Sequence, residues 1–153
     1  MPKLKRVILV NRQRKLKVNS PAIRQLATSL LEGEGIDEDC AVEIVFLRDS
    51  PMADLNASFR QRSGPTDVLS FAADLAGWPT DEPKLLGTVV ISVDRASAQA
   101  VERDLPIDEE IERLVVHGLL HLCGFTHDEK SDSARMSRRE RLYLNIPNRE
   151  EVR

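Results

Sequence analysis

Cysteine is scarce in this chain, and long apolar runs are missing. The 153 residues include two cysteines, Cys40 and Cys123, which lie far apart in the sequence. Two widely separated cysteines do not form the dense pattern of a small secreted protein stabilised by disulfides. No apolar stretch approaches the roughly 20 residues that a membrane-spanning helix needs. The sequence therefore argues against a disulfide scaffold and against an integral membrane protein.

The N-terminal segment also lacks the features of a secretory signal. Charged residues precede an apolar patch at 7–10, but the polar residues Asn11, Arg12 and Arg14 end that patch almost at once. A signal peptide needs an apolar region of about 7–15 residues. We therefore expect a cytoplasmic protein in a reducing compartment, with no membrane partner.

Composition is typical of a globular protein. Hydrophobic residues make up 41% of the chain and charged residues 31%, and no repeat or low-complexity segment interrupts it. A chain of this length can bury enough apolar surface for one stable core. We therefore interpret residues 1–153 as a single domain, whose oligomeric state the sequence does not indicate.

The net charge of -3 conceals two basic clusters. The first occupies 3–17 and precedes every acidic residue, and the second consists of four arginines near the C-terminus, Arg135, Arg138, Arg139 and Arg141. Such clusters are most often solvated surface, but they can also bind phosphates. The sequence leaves both interpretations open.

Apolar periodicity predicts a β-α-β arrangement in the first half of the chain. The runs at 6–11 and 41–47 are rich in β-branched residues and predict strands. Between them, apolar residues repeat at helical spacing after Pro21, with Ser20 as the predicted N-cap. A right-handed crossover would make the two strands parallel. Ser50-Pro51 repeats the start signal and predicts a short second helix.

Two strands and three helices are predicted in the second half. The runs at 67–72 and 87–93 predict strands that can pair through a long loop. Asp94 is the predicted N-cap of the next helix and Asp108 that of the following one, which carries the first two histidines. A final helix is predicted from Ser131 to Tyr143.

All three histidines fall in one short segment, HGLLHLCGFTH at 117–127. Residues four apart lie side by side on a helix, so His117 and His121 can present two nitrogens to one ion. Gly124 allows the chain to turn back at the helix end, which would bring His127 round as a third ligand. Three neutral imidazoles suit zinc and leave a coordination position open for water or substrate. We therefore predict one catalytic Zn²⁺ per chain.

A lone histidine on an apolar helix is more often a hydrogen-bonded core residue, but three at this spacing share one geometric solution. Cys123 lies about 200° around the helix axis from His121, and we predict that it faces away from the ion as a small buried hydrophobe. The predicted fold is α+β, with a mixed sheet of about four strands packed by helices and the zinc-site helix central.

The histidine spacing also matches the metzincin pattern H-E-x-x-H-x-x-G-x-x-H, except that Gly118 replaces the glutamate that serves those proteases as general base. This difference argues against peptide hydrolysis. Along most of its length the chain instead resembles the YbeY family of bacterial endoribonucleases, which are associated with ribosomal RNA maturation. The resemblance rests on three ordered blocks: LNASFRQRSGPTDVLSF at 55–71, LLGTVVIS at 85–92 and HGLLHLCGFTH.

The resemblance implies that His117, His121 and His127 are zinc ligands and that Arg60 is a catalytic residue. A guanidinium can hold two phosphate oxygens and offset negative charge as a phosphodiester is attacked. The implied function is zinc-dependent cleavage of single-stranded RNA in ribosomal RNA maturation, at the 3′ end of 16S rRNA, and in ribosome quality control. The implied partners are single-stranded RNA, ribosomal RNA and the small ribosomal subunit.

Two positions depart from the family pattern, and two other functions stay open. Family members commonly have aspartate where this chain has Thr88 and Thr126, and Asp128 could compensate around the ligands. One alternative is a zinc hydrolase of peptides or small molecules, which Gly118 disfavours. The other is a non-catalytic ribosome-assembly factor with a structural zinc. A fourth protein ligand to the zinc, such as Cys40, would favour this alternative.

Overall fold

The computed structural model describes residues 6–60, 64, 66–73, 84–125 and 129–144. Each strand and helix that the sequence predicts is present, with its ends shifted by a few residues at most. In chain order they are β1 (Val7–Asn11), α1 (Ser20–Gly33), β2 (Cys40–Leu47), α2 (Asp49–Arg60), β3 (Val68–Ala72), β4 (Lys84–Ser92), α3 (Val93–Arg103), α4 (Ile107–Leu122) and α5 (Lys130–Leu144).

The strands form one mixed sheet in the order β1-β2-β4-β3. β2 lies parallel to both β1 and β4, whereas β3 is an edge strand antiparallel to β4. The predicted parallel β1–β2 pair and the predicted pairing of β3 with β4 are therefore both present. The α+β fold class is confirmed.

Different helices pack on the two faces of the sheet. On one face, alternate apolar residues of β2 and β4 form the main core with residues of α1 and α4, and with Met136 of α5. On the other face, Leu69 of β3 and Val90 of β4 pack against Met52 of α2. Because side chains alternate along a strand, α2 and α4 lie on opposite sides of the sheet.

Helix α4 is central, as predicted. It contacts α1, α3, α5, β3 and β4. Eight of its residues are buried, among them Leu114, Leu119 and Leu120. Each fully buried leucine contributes about 1.5–3 kcal/mol of hydrophobic stabilisation, so this packing holds the histidine-bearing helix firmly in place.

The N-caps predicted for α1 and α4 are both wrong. Asn19 rather than Ser20 caps α1, because the Asn19 side chain accepts a hydrogen bond from the Ala22 backbone N–H. At α4 the cap residue is a proline without a side-chain hydrogen bond, and Asp108 lies inside the first turn. There its carboxylate faces the positive end of the helix dipole, a favourable position that needs no cap geometry.

The predicted cap of α3 is also wrong. Ser92 caps this helix and accepts a hydrogen bond from the Arg95 backbone N–H. Asp94 instead accepts hydrogen bonds from Lys15 at 2.7 Å and from Arg48 at 3.0 Å. Charged partners from two other segments thus determine where the aspartate points, which local sequence does not reveal.

No helix within the described ranges is long and apolar enough to cross a membrane. Cys40 and Cys123 are both free thiols. Cys123 packs against the main core, and burial raises the pKa of its thiol to about 11. It is thus a half-buried residue at the edge of the core, less buried than the sequence predicted.

Candidate metal centre

His117 and His121 lie on the same side of α4, one turn apart. Their rings are half-buried and meet edge to face, with centroids 4.7 Å apart. The two Nε2 atoms are only 3.2 Å apart. The i, i+4 spacing therefore brings one nitrogen of each ring to a common point, as the sequence predicted.

The Nδ1 atom of each ring faces its own hydrogen-bond acceptor. His117 Nδ1 lies 2.8 Å from Oε1 of Glu140 in α5, and His121 Nδ1 lies 2.9 Å from the carbonyl oxygen of Phe125. A carbonyl or carboxylate oxygen can only accept, so a neutral ring that donates to it carries the proton on Nδ1. In that tautomer both Nε2 lone pairs point toward the space between the rings, where the two atoms are 3.2 Å apart and one shared ion can contact both.

This pair fits the metal that the family resemblance implies. Two zinc-bound nitrogens, each about 2.0–2.1 Å from the metal, lie about 3.3 Å apart in tetrahedral geometry, close to the observed 3.2 Å between the Nε2 atoms. Zinc-binding histidines also usually donate their other N–H to a carboxylate or a carbonyl. His127 lies outside the described residues, within which no three metal-binding side chains come together; the third ligand stays a prediction.

Gly124 ends α4 and turns the chain so that the next residue supplies the acceptor for His121. Its φ of +100° lies in the region that glycine adopts without strain. The backbone N–H of Phe125 donates to the Leu120 carbonyl at 3.0 Å, and that of Gly124 to the His121 carbonyl at 3.0 Å. This is the usual glycine C-cap, and it brings the Phe125 carbonyl oxygen back to His121 Nδ1.

Gly118 marks the closest approach of α4 to the sheet. A Cβ atom at this position would lie 2.5 Å from Cγ1 of Val89 and 3.2 Å from Oγ of Ser70. The same proximity lets the Ser70 hydroxyl donate a hydrogen bond to the Gly118 carbonyl oxygen at 2.9 Å. A glutamate here would face β3 and β4, so the packing that requires glycine also removes the protease general base.

Glu140 is the site residue that the sequence analysis missed. It is about one turn beyond Met136, which is 2% exposed and packs into the main core. Arg139 and Tyr143 both bind the Glu34 carboxylate of α1, and burial together with that carboxylate raises the pKa of Tyr143 to about 12. Glu140 lies four residues after the buried Met136 and therefore on the same side of α5, and this spacing indicates that Glu140 also faces inward.

Arg113, one turn before His117 on α4, has a structural partner. Its guanidinium contacts the fully buried Glu110 carboxylate through two nitrogens, at 2.6 and 3.1 Å. Nearby, Gln99 of α3 donates to the Asp67 carboxylate at 3.1 Å. Asp67 also accepts from the backbone N–H of Val68 at 2.8 Å, so it fixes the start of β3.

Arg60 is the last residue of α2 and is exposed. It does not contact either histidine, because α2 lies on the opposite face of the sheet from α4. The two helices meet the same edge strand: the ring of Phe59 packs on Phe71, with centroids 5.4 Å apart, while Ser70 bonds to Gly118. Within the described residues the Arg60 guanidinium has no hydrogen bond or ion pair, so it is available to a ligand.

The departure at Thr88 does not alter the surroundings of the two described histidines. Thr88 lies on the α2 side of the sheet, where its hydroxyl contacts Oε1 of Glu43 at 3.2 Å and its register partner is Phe71. An aspartate here would point away from α4. The other departure, Thr126, and the neighbouring Asp128 lie outside the described residues.

Four residues of the first basic cluster lie in a surface loop after β1, whereas Arg6 lies just before β1 and donates to backbone carbonyl oxygens instead. Gln13 is buried, and its amide nitrogen donates to Asn11 Oδ1 at 2.7 Å and to the Leu16 carbonyl at 2.9 Å. These bonds hold the side chain of Gln13 inside the loop. The four cations around it are exposed: Arg12, Arg14, Lys15 and Lys17. Lys3 and Lys5 lie outside the described residues.

The second basic cluster serves two purposes. Arg139 is a packing residue, because its guanidinium binds Glu34 of α1. Arg135 and Arg138 are exposed on the other side of α5. The exposed pair is therefore placed to bind phosphates.

Comparisons with known proteins place the chain in one family. A family model described as Endoribonuclease YbeY matches residues 8–147. The chain is 36% identical over 143 residues to the endoribonuclease YbeY of Alkaliphilus metalliredigens, covering 90% of this chain and 92% of the relative. It is 38% identical over 128 residues to that of Macrococcus caseolyticus, covering 82% and 83%.

A solved structure has the same fold. The solution structure of TM1509 from Thermotoga maritima matches with a TM-score of 0.64, at 22% identity, over 92% of this chain and 87% of that one. At that identity the likeness supports the fold alone. The family match and the curated relatives carry the assignment: the chain belongs to the YbeY family of endoribonucleases.

Proposed function

We propose that this protein is a zinc-dependent endoribonuclease that cleaves single-stranded RNA. The observation that carries the proposal is the imidazole pair of His117 and His121, whose Nε2 atoms lie 3.2 Å apart with both Nδ1 atoms at acceptors. His127 would complete a site for one Zn²⁺ per chain, and three protein ligands leave a position open. The curated relatives are named endoribonucleases, which supports RNA as the substrate.

Zinc bound there would lower the pKa of a coordinated water or polarise a phosphate oxygen. Protein side chains would supply the other catalytic functions. The acceptors at Nδ1 keep the imidazoles oriented, and the Arg60 guanidinium binds two phosphate oxygens and offsets developing negative charge.

The location of Arg60 favours a single-stranded substrate. Arg60 and His117 lie on opposite sides of the edge strand β3. An RNA that contacts both therefore has to pass from one face of the sheet to the other. A flexible single strand can do so, whereas a stiff duplex cannot follow such a path without losing base pairs.

We further propose ribosomal RNA of the small subunit as the physiological substrate, with cleavage serving 16S 3′-end maturation and ribosome quality control. This part rests on family membership. The reaction would take place in the cytoplasm, and the two free thiols agree with a reducing compartment.

The test is incubation of the zinc-loaded protein with a single-stranded RNA and with its duplex, followed by analysis of the product ends. We expect zinc-dependent cleavage of the single strand alone. A 2′,3′-cyclic phosphate would identify the RNA 2′-hydroxyl as nucleophile, and simple hydrolysis ends would identify water. Cleavage that survives complete removal of metal would contradict the proposal.

Cobalt substitution tests the ligand set. The chain should bind one Co²⁺ with the absorption spectrum of a site built from nitrogen ligands, and His127→Ala should weaken binding strongly because a three-residue site has no redundancy. Cys40→Ser is the matched control and should change nothing. Loss of the metal in Cys40→Ser would instead favour a closed structural site, and no effect of His127→Ala would mean that the third-ligand assignment is wrong.

A further inference from the structure

We infer that Glu140 is a positioning residue of the metal centre, acting through His117. This inference rests on the proposed function. Oε1 of Glu140 lies 2.8 Å from Nδ1 of His117, and the contact joins α5 to α4. It makes α5 part of the site, although none of the predicted ligands lies in that helix.

The contact selects the tautomer of His117 that can bind a metal. A neutral imidazole carries one proton, and a carboxylate at Nδ1 favours placing it there, which leaves the Nε2 lone pair for the ion. Without this acceptor the Nε2–H tautomer would compete, and its proton would block the metal. The side chains of His117 and Glu140 are only 24% and 20% exposed, so water is a limited substitute.

The two histidines differ in the charge of their acceptor. His121 faces the neutral carbonyl of Phe125, whereas His117 faces a carboxylate. A carboxylate raises the basicity of the ligand nitrogen and adds negative charge close to a divalent cation. Glu140 thus supplies a charged group in a chain that has Thr126 where the family commonly has aspartate.

Helix α5 keeps its position without Glu140, because other residues anchor it. Met136 is 2% exposed in the main core, and both Arg139 and Tyr143 bind Glu34 of α1. Replacing Glu140 should therefore leave the fold intact, which makes the inference testable.

The first measurement is the affinity of the full-length protein for Zn²⁺ and Co²⁺, by competition with a chromophoric chelator. Glu140→Ala should weaken binding by about 10–100-fold. Glu140→Gln should lose less metal affinity than Glu140→Ala, because the glutamine amide oxygen can still accept a hydrogen bond from Nδ1–H although it carries no charge. Glu102→Gln, which removes an exposed carboxylate from α3, is the charge-matched control and should not change the affinity.

The second measurement needs no metal. Nitrogen chemical shifts of the imidazoles, recorded at about pH 8 where a histidine of ordinary pKa is neutral, report which nitrogen carries the proton. His117 should be the Nδ1–H tautomer in the wild type and in Glu140→Gln, and a mixture in Glu140→Ala. His121 should not change in either variant and serves as an internal control.

The outcomes separate this inference from the proposed function. A wild type that binds no metal would refute the proposed function, while the tautomer of His117 would still test the role of Glu140. Unchanged tautomers in a folded Glu140→Ala variant would overturn the positioning role. Equal metal affinity in the wild type and Glu140→Ala would overturn its contribution to the metal centre.

Discussion

Arg60 and His117 lie on opposite faces of the sheet, so the roles proposed for them can be separated residue by residue. Arg60 is exposed and has no partner within the described ranges, whereas His117 is half-buried and oriented by Glu140. A substitution at Arg60 should therefore alter the contact with the RNA phosphate without altering metal binding.

We expect Arg60→Ala to retain zinc and fold while losing about a hundredfold in cleavage rate, the typical effect of removing one oriented donor from a transition state. Arg60→Lys should recover little, because an ammonium keeps the charge but cannot make the two-pronged contact. Single-turnover cleavage of a single-stranded RNA at matched zinc occupancy measures both. Wild-type rates in Arg60→Ala would remove this residue from the active site and favour the assembly-factor function.

Gly118 provides a prediction about stability. A methyl group there would overlap Cγ1 of Val89, and overpacking typically costs about 1–3 kcal/mol. This outweighs the roughly 1 kcal/mol of helix propensity that alanine gains over glycine. Gly118→Ala should therefore lower the free energy of unfolding, measured by chemical denaturation.

The control for this prediction is a double-mutant cycle. Val89→Ala removes the clashing atom, so the double variant should be more stable than the sum of the two single effects predicts. Strict additivity, or a Gly118→Ala variant more stable than the wild type, would mean that α4 does not approach the sheet so closely.

At the scale of single elements, the sequence predicts what local patterns determine. Periodicity located the strands and helices, and Gly124 ended α4 where expected. The predicted N-caps of α1 and α4 were one or two residues off, whereas at α3 partners distant in sequence compete, because Asp94 binds Lys15 and Arg48. Apolar periodicity identifies a helix or a strand, but it does not indicate which helices and strands pack against each other.

The same limit explains what was missed at the site. The i, i+4 pair His117 and His121 is a local feature, so the sequence predicted it correctly. The contact from Glu140 spans 23 residues and depends on how α5 docks against α1 and α4. No spacing rule encodes that docking angle, and only Met136 on the same side of the helix hinted at it.

The basic loop after β1 gives a prediction at this scale. If its exposed cations bind RNA phosphates, the triple variant Arg12→Gln, Arg14→Gln, Lys17→Gln should flatten the dependence of log affinity on log salt by up to about 2, since each phosphate contact on a single strand contributes about 0.7. Arg139→Gln is the control and should not change the slope, because this arginine binds Glu34. An unchanged slope in the triple variant would mean that the loop is solvated surface.

At the scale of the whole molecule, Asp94 connects three parts of the fold. Its carboxylate accepts hydrogen bonds from Lys15 in the loop after β1, from Arg48, and from the backbone N–H of Asp49 at the start of α2. Partial desolvation would raise its pKa, but these three donors outweigh that effect and hold the pKa of Asp94 well below its usual value.

This arrangement predicts an acid-sensitive contribution to stability. A carboxyl whose pKa is lower in the folded state stabilises the fold above its unfolded pKa of about 3.9, and this stabilisation is lost as the pH falls through the folded value. Asp94→Asn should lower the free energy of unfolding at neutral pH by about 1–2 kcal/mol. The difference from the wild type should shrink below about pH 4.

Chemical denaturation across this pH range measures the effect of Asp94→Asn. Asp54→Asn, at an exposed position of α2, is the matched control and should follow the wild type throughout. A gap between Asp94→Asn and the wild type that stays constant with pH would show that the lost contribution is packing rather than charge.

The order of elements along the chain also determines the order in which they can form during synthesis. The last strand, β4, ends at Ser92, whereas the histidines begin at His117 and Glu140 follows in α5. Because a chain grows from its N-terminus, the four strands that the structure describes emerge from the ribosome before any residue of the proposed metal centre. An interrupted chain can thus contain all four strands and no means of binding the ion. With the function proposed here, a half-made copy of this nuclease cannot cut the RNA of the ribosome that is making it.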